Sequence, residues 1–102
     1  GVPCADFTLP EHYNRKTLRS MGRVAMLATR ASELALEDAG LLGDPLLRSG
    51  RMGISYGSSA GTPASIGDFG RMLSELTTQY INATTYIKMM SHTAPVNIGV
   101  FF

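Results

Sequence analysis

An α/β chain of helix, strand, helix and helix, forming part of a larger domain, is what this sequence predicts, and three observations carry that reading. An alanine-rich helical stretch runs over residues 14–39, a short strand-like run follows at 52–56, and a second amphipathic stretch starts at Thr62-Pro63. Helix, loop and strand make half of an α/β repeat, so a parallel sheet is expected.

Residues 1–14 carry Pro3 and Pro10 among mixed polar residues with no sustained period, and read as an extended arm ahead of an α/β part over 15–102. The helical pattern then places Leu18, Met21, Ala25 and Ala28 on one stripe, with Val24, Leu27, Ala31 and Leu34 beside it. Asn14 suits the N-cap and Gly40 the C-terminal stop. The small residues Ala25, Ala28, Ala31, Ala35 and Ala39 imply close packing against another element. Gly43, Pro45 and Gly50 punctuate the connection to the strand-like run Met52-Gly53-Ile54-Ser55-Tyr56.

Thr62-Pro63 is an N-cap followed by a proline at the first helical position, where its missing N–H costs nothing. Ile66, Phe69, Leu73 and Leu76 recur at helical steps, which predicts a helix to about Gln79. Residues 80–90, rich in Thr and Tyr, read as a loop. Ser91 or Thr93 caps a last helix that tolerates Pro95 near its start.

Composition narrows the classes. At 102 residues the chain is one small domain at most, and its 17% charged residues are few for an independent one, which suggests faces that meet other protein. A net charge of +1 gives no global field to draw nucleic acid, so any basic patch is local. The lone Cys4 excludes an intrachain disulfide, and no apolar run approaches the ~20 residues of a membrane span. No charged-then-apolar leader opens the chain, and the reading is cytoplasmic, with no nucleic-acid or membrane partner. It starts at Gly1 and stops inside the apolar run Val100-Phe101-Phe102, which reads as a piece of a longer protein.

Gly57-Ser58-Ser59-Ala60-Gly61 spells G-x-S-x-G. A nucleophile elbow needs the helix to start at the serine, whereas here the start is postponed to Thr62-Pro63, and Asp68 and His92 do not fall where a strand-end acid and base would. A small-residue turn fits better than a serine hydrolase built on Ser59. A phosphate loop is weaker again, since neither glycine fingerprint is complete. Cys4, His12 and His92 lack any paired metal-ligand spacing, so no metal site is expected. The basic residues are more suggestive. Lys16, Arg19, Arg23 and Arg30 would share one face of a continuous helix and could steer an acidic partner, against the plainer reading of a solvated stripe.

Read in order, NRKTLRSMGRVAMLATRASELALEDAGL, RMGISYGSSAG and SHTAPVNIGVFF resemble the N-terminal half of the β-ketoacyl-acyl carrier protein synthases, most of all the elongating branch of bacterial fatty-acid synthesis. The resemblance implies a partial thiolase-like fold of layered α/β halves, a homodimer and no cofactor. It implies a ping-pong acyltransferase in which a cysteine takes an acyl group and two histidines help decarboxylate malonyl-carrier. Those three residues are expected beyond Phe102; Cys4, His12 and His92 do not match them, so the segment alone would be inactive.

The resemblance further assigns Arg15, Lys16 and Arg19 to docking of the acidic acyl carrier protein with its phosphopantetheine-linked acyl and malonyl groups, although Ser20 is uncharged where some relatives are basic. It gives Ile81 to the acyl pocket, with an ordinary loop residue as the plainer reading. Val96, Val100, Phe101 and Phe102 fall to the dimer interface. A small α/β module that docks an acidic protein without chemistry remains the alternative from the residues themselves.

Overall fold

The computed structural model describes residues 4–102, so the first three residues of the predicted arm, Pro3 among them, lie outside the described residues. Among the described residues five α-helices follow one another: α1 (Arg15–Leu18), α2 (Arg23–Asp38), α3 (Pro63–Glu75), α4 (Thr85–Met89) and α5 (Thr93–Phe101), with a 3-10 turn at Pro45–Arg48.

The expected α/β layering is not found: among the described residues there is no strand and no sheet. The run 52–56 is unpaired, and every residue from Arg51 to Ala60 is exposed. The reason is physical. Strand propensity describes a residue's fit to a pleated surface beside neighbours, and a single strand-like segment with no partner in the described chain has no ladder to join. Ile54 nonetheless leans on α5, where a Cβ added at Gly99 would meet its Cδ1 at 3.4 Å.

The long first helix is divided. Asn14 caps as expected, its Oδ1 accepting from the Thr17 N–H at 3.0 Å, but it caps only the single turn of α1. The chain then breaks over Arg19, Ser20, Met21 and Gly22 and restarts α2 at Arg23 with Gly22 as N-cap. Gly22 is needed there because a Cβ would overlap the Thr62 hydroxyl at the head of α3. At the other end α2 closes as predicted beside Gly40. The Leu41 N–H reaches the Leu36 carbonyl at 2.8 Å and the Gly40 N–H reaches that of Glu37 at 3.0 Å, which together make a Schellman motif.

The core lies between α2 and α5. Ala25 and Thr29 of α2 and Ala94 of α5 are fully buried, Thr93 nearly so, with Met21, Tyr13, Ile98 and Asn97 around them. Small side chains at the contact allow the helices to approach closely. Of the alanines expected to pack, Ala25 is buried and Ala28 half-buried, whereas Ala31, Ala35 and Ala39 face outward.

Two further differences are local. Residues 80–90 contain α4, seeded by Asn82, whose Oδ1 accepts from the Thr84 N–H at 2.9 Å and from its hydroxyl at 2.8 Å. Helix α3 stops at Glu75 because Leu76 takes a left-handed conformation, φ 54°. Helix α5 begins after His92, between the two caps expected from its flanking residues.

Candidate functional site

The basic residues divide into two groups once the helix is divided, because a face defined over one continuous helix does not survive the break at 19–22. Arg23 stays at the surface but is engaged: its Nη2 donates to the Cys4 carbonyl at 2.5 Å and its guanidinium lies 5.7 Å from the Phe7 ring centroid. Arg30 is tied to Glu33, Nη1 to Oε2 at 2.6 Å. Arg15, Lys16 and Arg19 are exposed, and among the described residues none of them makes an ion pair. The sequence thus overstated the stripe, and the cations of this stretch whose side chains have no hydrogen-bond or ion-pair partner among the described residues are the three clustered on and just after α1.

A one-turn helix does not hold itself in place, since the nucleating turn is unfavourable alone. Side chains on both flanks fasten it. Immediately before the cap, Tyr13 donates its hydroxyl to Glu33 Oε2 at 2.7 Å, and His12 Nε2 meets Oε1 of the same carboxylate. Immediately after α1, the Ser20 hydroxyl donates to Asn97 Oδ1 at 2.7 Å, while Asn97 Nδ2 donates to the Thr93 carbonyl at 2.8 Å and reaches the Ser20 carbonyl at 3.4 Å.

The Glu33 side chain is 7% exposed. Burial alone would push its carboxyl up; hydrogen bonds from Tyr13, Arg30 and His12 outweigh it and hold the group below the usual carboxylate range. The Tyr13 hydroxyl moves the other way, raised first by burial and then by the adjacent Glu33 carboxylate. Sequence reasoning missed Glu33, and the signal was faint: a carboxylate three residues after Arg30 on a helix otherwise read by its alanines.

A groove of about 380 Å³ runs from Lys16 toward α5, lined by Asn14, Lys16, Ser20, Met21, Val100 and Phe101 among others. A second cavity, about 400 Å³, lies between α2, α5 and the unpaired run, with Leu36, Ile54, Ile98 and Phe102 in its wall. Ile81 lines neither; it is half-buried, and its N–H donates to the Thr78 carbonyl at 3.2 Å.

The apolar end of α5 divides too. Val96 and Val100, four residues apart, point outward at 56% and 83% exposure. Phe101 stacks on Tyr13 with ring centroids 4.9 Å apart, Phe102 meets Phe101 edge-on at 4.8 Å, and the Phe102 carbonyl accepts from Arg48 Nε at 2.9 Å.

Ser59 is exposed in an irregular segment, and α3 begins four residues later. The turn is shaped by Gly61, where a Cβ would run into the backbone of Lys88 and Met89. The Gly61 and Thr62 N–H groups donate to the Met89 and Lys88 carbonyls at 2.9 and 2.8 Å. This glycine is therefore explained by the approach of α4. Cys4 and His92 are exposed and His12 is held by Glu33. Among the described residues no cluster of three metal-ligating side chains occurs, and no helix is long and apolar enough to cross a membrane.

No protein-family model matches the chain, and no curated protein matches it. Among solved structures it is similar to a β-ketoacyl synthase from Burkholderia phymatum STM815, with 48% identity and a TM-score of 0.86. The match covers 93% of this chain and 23% of that one, so the chain spans about a quarter of the length of the synthase it resembles.

Proposed function

Over 93% of its length this chain belongs with the β-ketoacyl synthases, and we propose that it serves such an enzyme as the segment that docks the acyl carrier protein. The observation that carries the docking role is the separation of the cations. Arg23 and Arg30 are bound internally, while Arg15, Lys16 and Arg19 face outward from a capped turn fastened on both flanks. A compact positive patch on fixed backbone steers an acidic partner and sets its orientation.

In the reaction proposed for the whole synthase, an acyl group passes from the carrier thiol to an enzyme cysteine. Malonyl-carrier then loses carbon dioxide, and the resulting carbanion attacks the enzyme-bound thioester carbonyl, forming the carbon–carbon bond and releasing the cysteine thiol. The cysteine and two histidines for these steps are assigned outside this chain. Its own part is to bring the carrier, and hence the pantetheine thioester, to a defined place.

Two further assignments belong to this reading. Val96 and Val100 form an outward apolar pair suited to the face of a homodimer, backed by the inward-packed Phe101 and Phe102. Ile81 is assigned to the acyl pocket, completed by parts of the enzyme beyond this segment. Enlargement of the side chain at that pocket, Ile81→Phe, should shorten the acyl chains accepted; an unchanged chain-length profile removes Ile81 from it. The enzyme is placed in the cytoplasm, in fatty-acid synthesis.

The docking claim is tested by reversing Lys16 and Arg19 to Glu in the synthase that carries this segment. The KM for carrier-linked substrate should rise with the circular dichroism spectrum unchanged; unaltered carrier kinetics would refute the assignment.

A further inference from the structure

We propose that Glu33 is a positioning residue for carrier docking, its buried carboxylate fixing the segment that presents Arg15, Lys16 and Arg19. The inference rests on the docking reading above and adds to it the device that holds the patch still.

The geometry has three parts. Glu33 sits on α2 more than a dozen residues from the cations in sequence, yet its partners His12 and Tyr13 adjoin the Asn14 cap of α1 directly. Downstream, the Ser20–Asn97 pair fastens the exit of α1 to α5. Release of the Glu33 end would leave the entry to α1 held by the Tyr13–Phe101 stack, which fixes no direction, and the exit by Asn97, and a four-residue helix has little stability of its own to hold its orientation.

The chemistry points to placement more than to adhesion. One carboxylate gathers contacts from three titratable neighbours, His12 and Tyr13 from the arm and Arg30 from its own helix, while Arg48 lines the adjoining cavity. Burying such a group costs much of what its bonds return, so an apolar cluster would serve stability about as well. What an apolar cluster lacks is direction: the carboxylate dictates where the Tyr13 hydroxyl and the His12 ring sit, and thereby where the backbone enters α1. None of these side chains touches the carrier in this scheme.

The experiment uses the synthase that carries this segment, with Glu33→Gln and, separately, Tyr13→Phe, which keeps the ring on Phe101 and removes only the hydroxyl. Each enzyme is assayed with carrier-linked substrates and with the same acyl and malonyl groups as pantetheine thioesters lacking the protein. The KM for carrier-linked substrate is expected to rise roughly three- to tenfold, less than the full scale of one charge-assisted hydrogen bond because the effect is indirect, with kcat and the pantetheine kinetics unchanged. A carrier KM that stays put in both variants overturns the proposal, as does an equal loss on both substrate types, which would mark a general structural defect. If Glu33→Gln does not fold, Tyr13→Phe decides alone. Reversal of Lys16 and Arg19 separates the two claims. If that change raises the carrier KM and the Glu33 and Tyr13 variants do not, positioning alone falls; if it too is silent, docking falls with it.

Discussion

The Tyr13 hydroxyl donates to the Glu33 carboxylate across 2.7 Å while the Tyr13 ring stacks on Phe101 at 4.9 Å, so one side chain ties the arm to both α2 and α5. The aromatic body supplies buried area and the hydroxyl supplies direction.

The first prediction concerns pH. Glu33 lies below its ordinary value of 4.5, so its contribution is complete above the unfolded value and is lost as pH falls through the lower folded one. Stability should therefore decline with acidification from near 4.5 downward. Glu33→Gln should lower stability by about 1–3 kcal/mol at neutral pH and make the acid decline shallower, read from urea midpoints. An acid slope as steep as the parent's would contradict it. Tyr13, raised above its ordinary 10.0, contributes below that value and loses its contribution only as pH rises through the folded one.

A second prediction concerns the turn before α3. An alanine at Gly61 would push its Cβ into the carbonyl end of α4, which is backbone and cannot swing aside. At Gly22 the obstacle is the Thr62 side chain; Thr62→Ala removes the hydroxyl and the methyl at 3.2 Å and leaves the Cβ at 2.7 Å. Gly61→Ala should cost about 1–3 kcal/mol, and Gly22→Ala should be partly rescued by Thr62→Ala. Thermal melts that rank the two single variants alike and show no rescue would count against this packing.

Leu76 supplies a third. It ends α3 in the left-handed region with its side chain 91% exposed, so the strained backbone has no packing to offset it. Leu76→Gly should stabilise the protein by up to about 1 kcal/mol, because the left-handed cost falls away. A lower melting temperature would show that the leucine has a contact that outweighs the strain.

The sequence was most readable where a local rule acts alone. Asn14 and Gly40 were legible as a helix start and a helix stop because capping is decided within a few residues. The break at 19–22 was not, since it depends on how Gly22 meets Thr62, forty residues away. The sheet failed for the same kind of reason: Met52, Ile54 and Tyr56 carry strand propensity, but propensity without a partner yields exposed, unpaired chain. Of the candidate docking site, the cations were visible and their anchor was not. Glu33 reads as one more surface carboxylate until His12 and Tyr13 are brought to it. The family resemblance drawn from ordered motifs does find support in the matched synthase.

The outward valines give a fourth prediction. If Val96 and Val100 belong to a homodimer face, Val100→Asp in the full synthase should shift sedimentation toward monomer, because an unpaired charge is costly in a buried interface. A dimer of unchanged strength would place that interface elsewhere.

The most direct measurement of the central claim is the rate of carrier-protein association by stopped flow, over a range of ionic strength, for the synthase with and without Arg15, Lys16 and Arg19 reversed to Glu. Exposed charges that steer a partner act through an on-rate that falls as salt screens them. The account predicts that the parent associates roughly tenfold faster or more at low salt and that the reversed enzyme loses both the speed and the salt dependence. Equal rates and equal salt dependence in the two enzymes would contradict it.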